Sequence, residues 1–128
     1  MQINLVLAWL WITLGFVSGS LFGFNFNFLR EDWLGGYSSN IRRLYRLGHI
    51  SFFGLGVINL MFYITIRTLG MESALTVIAS WAMVIGGMSM PICCFITAHY
   101  PKLKDFFYIP VISLIIGGLL TLWQVVHA

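Results

Sequence analysis

An apolar run from Leu47 to Ile66, bracketed by Arg46 and Arg67, leaves this chain few ways to fold. One helix needs about 20 apolar residues to cross the hydrocarbon core of a bilayer. The run therefore predicts a transmembrane helix, and apart from His49 it contains no residue with a formal charge. An ionisable side chain inside such a segment is uncommon, which makes it a functional candidate by default.

Three further apolar segments of similar length predict an all-α integral membrane protein. The predicted helices span residues 3–24, 47–66, 73–98 and 106–126, with a polar loop over 25–46. Connections this short favour an up-down antiparallel four-helix bundle. Only 9% of the 128 residues are charged, against about 25% in ordinary soluble domains. We therefore expect one membrane domain over 1–128 and no separate soluble domain.

The basic residues predict the orientation of this bundle. All but one of the seven Lys and Arg residues lie on the face that carries the first and third loops. They are Arg30, Arg42, Arg43, Arg46, Lys102 and Lys104, while Arg67 lies on the other face. Because basic loops stay inside, the sequence predicts both termini on the outer, periplasmic side of a multi-pass protein of the inner (cytoplasmic) membrane.

Two histidines form the first candidate site. His49 begins the second predicted helix and His99 ends the third. The two helices form a hairpin with a tight turn, so both imidazoles should lie at one depth near the cytoplasmic face. Two imidazoles on facing helices are what axial ligation of a haem iron requires. The sequence thus predicts one b-type haem held by His49 and His99.

Other residues near the histidines suit a haem. Gly56 lies two turns after His49 on the same helical face, where a missing side chain leaves room for a macrocycle edge. Phe52, one turn after His49, is placed to line the macrocycle. Arginine binds carboxylates through a rigid fork of donors, which suits the haem propionates. The arginines in question are Arg42, Arg43 and Arg46.

Plain structural roles are the alternative for these residues. A histidine within a turn of the membrane boundary can lie among headgroups or bond a neighbouring helix, and anionic lipid also accounts for the basic residues. The stripe formed by Gly15, Gly19 and Gly23 on the first helix likewise has two interpretations. It is either a seam that lets two helices approach closely or space for a flat ring.

A second candidate site contains soft ligands. The third helix carries Met88, Met90, Cys93 and Cys94, and Met90 and Cys94 share a helical face. Thioether and thiolate ligands select Cu(I). Met and Cys are also ordinary residues of apolar helices, so copper handling is kept as an alternative function.

In general form, a small helical chain with one histidine on each of two helices resembles the haem-b membrane anchors of respiratory complexes. The resemblance implies a small subunit of a respiratory electron-transfer complex, exchanging electrons with partner subunits or with a quinone in the bilayer. The alternative is a cofactor-free accessory or assembly subunit of a larger membrane complex. No phosphate-binding loop, catalytic triad or nucleic-acid surface is visible in the sequence, and we do not expect a catalyst that acts alone.

Overall fold

The computed structural model describes residues 2–23, 33–36 and 38–128, and these residues form helices without any β-strand. The α-helices are α1 Gln2–Gly23, α2 Asn40–Leu69, α3 Ala74–His99 and α4 Tyr108–Val126. Short 3₁₀ segments at Trp33–Gly35 and Pro101–Phe107 precede α2 and α4. Four helices are long and apolar enough to cross a membrane, which confirms that part of the prediction. Residues 25–32 of the predicted loop, including Arg30, lie outside the described residues.

Helix α2 begins at Asn40, well before the predicted start at residue 47. Ser39 has an extended backbone and its hydroxyl accepts a hydrogen bond from the Arg42 N–H at 3.1 Å. Such a cap satisfies a donor that the first helical turn leaves unpaired. The helix ends at Gly70, which adopts the left-handed conformation (φ 62°) that glycine tolerates without strain. The three arginines of the predicted site therefore lie on the first turns of α2.

Consecutive helices pack against each other, and α4 lies at the edge. The core has one cluster shared by α1, α2 and α3, and a second one shared by α2 and α3. The first contains Leu7, Trp11, Leu55 and Val84, and the second contains Phe62, Ile66, Ala79 and Met83. Helix α4 packs mainly against α3 and buries only Pro110 and Gly117. Most of its apolar surface is therefore exposed.

Gly15 and Gly19 of the α1 stripe form a seam against α2, whereas the surroundings of Gly23 lie outside the described residues. A Cβ atom added at Gly15 would lie 2.7 Å from Cζ of Phe53, and one at Gly19 would lie 2.9 Å from Cε1 of His49. Real Cβ atoms do not approach other atoms so closely, so each glycine leaves space for an aromatic ring. At Gly15 and Gly19 the stripe thus forms a seam between helices, and space beside it for a cofactor ring stays a prediction.

Candidate functional site

The candidate site lies at the end of the bundle where α2 begins and α3 ends. We call this the basic end, because it carries all Lys and Arg residues of the described chain except Arg67. The guanidinium-bearing side chains differ in their surroundings here. Arg42 is buried, with 3% of its surface exposed, whereas Arg43 is exposed and Arg46 is half-buried.

His49 packs against α1. Its Nδ1 lies 2.9 Å from Oγ of Ser18 and makes a hydrogen bond with it. The imidazole also meets the ring of Phe53 edge to face, with 5.5 Å between the ring centroids. Because Gly19 leaves space beside the ring, the imidazole fits between α1 and α2. His49 thus contributes to the contact between these two helices.

His99 lies at the surface instead. It is the last residue of α3, is exposed, and its Nε2 makes a hydrogen bond of 2.7 Å with the hydroxyl of Tyr45. Tyr45 lies on α2, one turn before His49. The two rings stand almost perpendicular, with centroids 5.6 Å apart. The described contacts therefore bring His99 to Tyr45 and His49 to Ser18, and none brings the two imidazoles together.

An aromatic ring fills the interface between α2 and α3 at this level. A Cβ added at Gly48 would lie 2.7 Å from Cζ of Phe95. The Phe95 ring also contacts Tyr45 edge to face at 5.2 Å and lies 6.2 Å from the ring of Phe52. Phe95 is thus packed against Gly48, Tyr45 and Phe52 of α2.

Gly56, predicted to lie beside a macrocycle, instead touches α1. A Cβ added at Gly56 would lie 3.0 Å from the backbone oxygen of Ala8 and 3.0 Å from Cγ1 of Ile12. Phe52 meets Trp11 of α1 edge to face at 5.5 Å. Gly56 and Phe52 therefore both pack α2 against α1. Ligation of a haem by His49 and His99 stays a prediction.

The soft-ligand residues of α3 are also distributed over different surroundings. Cys93 and Cys94 are free, buried thiols, and Sγ of Cys93 donates a weak hydrogen bond to the backbone oxygen of Phe106 at 3.5 Å. Met90 packs against the first core cluster, whereas Met88 is exposed. Within the described ranges, no three His, Cys, Asp or Glu residues gather as a metal site would require. Copper binding by these residues stays a prediction.

The sequence-based interpretation missed a buried polar cluster in the other half of the bundle. It consists of Asn4, Asn59 and Ser80, one residue from each of α1, α2 and α3, all at most 2% exposed. Asn4 donates from Nδ2 to Oδ1 of Asn59 at 2.9 Å, and the Ser80 hydroxyl donates to Oδ1 of Asn4. Asn4 and Asn59, each within an apolar helix, were the sequence feature that could have predicted this cluster. Polar side chains in membrane helices commonly form hydrogen bonds with neighbouring helices.

Comparisons of the chain with protein-family models, with curated proteins and with solved structures find no match. The described side chains offer helix-packing surfaces at α4 and a cluster of cations at the basic end.

Proposed function

We propose that this protein is a small, cofactor-free accessory or assembly subunit of a larger membrane complex, and that it binds its partner through the outer face of α4. One observation carries the proposal: α4 belongs to a stretch long and apolar enough to cross a membrane, yet it has only two buried residues. Its outer face includes Gly118, where an added Cβ would have nothing within 4 Å, beside the exposed Leu119 and Leu122. A glycine on such a face allows the backbone of a partner helix to approach closely.

We further propose an up-down antiparallel bundle in the inner (cytoplasmic) membrane, with both termini on the outer side. Hydrogen bonds between helix ends support this arrangement. Thr76, near the start of α3, donates to Gln124, near the end of α4, at 2.5 Å. Asn4, near the start of α1, bonds Asn59 in the second half of α2. The basic end then faces the cytoplasm, in keeping with the distribution of Lys and Arg.

Gly118→Trp tests the proposed face directly. The tagged protein is purified in mild detergent from membranes of the organism that encodes it, and copurifying subunits are quantified by mass spectrometry. We expect a stoichiometric partner that Gly118→Trp removes and that the control Gly54→Trp retains. Gly54, on α2, also has nothing within 4 Å of an added Cβ, so both variants should keep the fold. Equal partner recovery from the two variants would overturn the role of α4.

A haem-binding electron-transfer subunit remains the second candidate. The favouring observation is that Ser18 holds the imidazole of His49 through Nδ1, and a hydrogen bond at one ring nitrogen is how proteins orient ligand histidines. A visible spectrum of the same preparation separates the candidates. A colourless protein supports the first. A Soret band that shifts on reduction and disappears in His49→Ala and His99→Ala would establish the second, whereas bound copper lost in Cys94→Ala would indicate copper handling.

A further inference from the structure

The basic end contains a cleft between the start of α2, the end of α3 and the 3₁₀ segment that follows. Its volume is about 490 Å³, and it is partly open to the surroundings. Its lining combines apolar and polar residues from these three elements. The lining residues are Asn40, Ile41, Arg43, Leu44, Thr97, Ala98, His99, Pro101 and Lys104.

The charged side chains that line this cleft in the described part of the chain are cations. Arg43 and Lys104 approach it from α2 and from the 3₁₀ segment, and both side chains are exposed. None of the described residues that line it is acidic. His99, held by Tyr45, lies at the same place and adds a polar ring. The cleft is therefore suited to an anion that two cations can contact from different elements.

The position of the cleft identifies the source of the anion. Ile41, Leu44 and Ala98 form its apolar part, and the cations lie where the membrane-crossing stretch of α3 ends. A free phosphate would leave the apolar wall uncovered, whereas a phospholipid has a phosphate for the cations and an acyl chain for the apolar residues. Basic pockets between transmembrane helices are known to take lipid headgroups.

We propose that this cleft binds the phosphate of an anionic membrane phospholipid between Arg43 and Lys104, with an acyl chain along Ile41 and Leu44. The site does not depend on the partner surface of α4, because the two lie on different elements. Its role is to fix this end of the bundle to the anionic leaflet.

The test measures lipid binding by the full chain. Delipidated protein is titrated with phosphatidylglycerol, and the lipid copies retained are counted by native mass spectrometry, with phosphatidylcholine as the neutral probe. We expect phosphatidylglycerol to bind roughly tenfold more tightly than phosphatidylcholine. Arg43→Gln combined with Lys104→Gln should abolish most of that preference.

Lys102→Gln is the matched control for Lys104→Gln. Lys102 is an exposed cation of the same 3₁₀ segment, but it does not line the cleft. If both single variants lose phosphatidylglycerol equally, binding reflects diffuse surface charge and the site is refuted. Inorganic phosphate that displaces the lipid at millimolar concentration would instead identify a free-phosphate site and overturn the lipid assignment. Unchanged thermal midpoints in all variants confirm that the effects are on binding.

Discussion

At the scale of single residues, the features that suggest a cofactor pocket serve helix packing. Gly56 and Phe52 of α2 both contact α1, and Gly19 of α1 leaves space for His49. Rings packed against glycines place the backbones of two helices close together. Such contacts matter in a bilayer, where burial from water does not drive helices together and close packing must.

Gly56→Ala should therefore destabilise the protein. The added Cβ would lie 3.0 Å from the backbone oxygen of Ala8, and backbone cannot move aside as a flexible side chain can. Overpacking of this kind costs about 1–3 kcal/mol, measured as the free energy of unfolding in detergent. Gly54→Ala, two residues earlier on the same helix, meets nothing within 4 Å and should be neutral or stabilising by up to about 1 kcal/mol. Equal effects of the two substitutions would contradict the described seam.

The hydrogen bond between Asn4 and Asn59 should couple α1 to α2 energetically. A double-mutant cycle of Asn4→Ala and Asn59→Ala, followed by unfolding in detergent, should give a coupling of about 0.6 kcal/mol and at most about 1.7 kcal/mol. Thr65 provides the control, because its hydroxyl bonds only the backbone of its own helix, at Met61. A cycle of Asn4→Ala with Thr65→Ala should show no coupling. Additive losses in the asparagine pair would mean that this bond does not stabilise the helix contact.

At the scale of elements, the cap at Ser39 determines where α2 begins. Its hydroxyl accepts from the Arg42 N–H and donates to the backbone oxygen of Leu34 at 2.5 Å. Ser39→Ala should cost about 1 kcal/mol and loosen the first turns of α2, which carry Arg42 and Arg43. Hydrogen exchange of the amides at 42–44 should accelerate severalfold. Ser38→Ala, at the exposed neighbouring position, should leave these rates unchanged, and equal exchange in both variants would argue against the cap.

These elements also show what the sequence could and could not predict. Four helices able to cross a membrane are predictable from apolar length, because the thickness of a bilayer sets the length that a crossing helix needs. The early start of α2 does not, since a local cap extends the helix beyond the apolar window. The hairpin predicts equal depth for His49 and His99, whereas the observed contact of His99 is with Tyr45, one turn before His49. The direction of each ring depends on how the helices are rotated. Ser18 and Gly19 on α1 determine that rotation, and no pattern within α2 alone reveals it.

At the scale of the whole molecule, the charge distribution predicts which side of the membrane each turn faces. Arg67 and Thr68 lie at the C-terminal end of α2, whereas Lys102 and Lys104 lie at the basic end of the bundle. All four residues are exposed. Single cysteines at Thr68 and Lys102 can therefore report the two sides, once the buried Cys93 and Cys94 are replaced by Ala. In intact cells, a membrane-impermeant maleimide should label Thr68→Cys and not Lys102→Cys, because the more basic side stays in the cytoplasm. Permeabilised cells, in which both positions must react, provide the control. The reverse labelling pattern would place the basic end outside, and it would put the proposed lipid cleft in the wrong leaflet for an anionic headgroup.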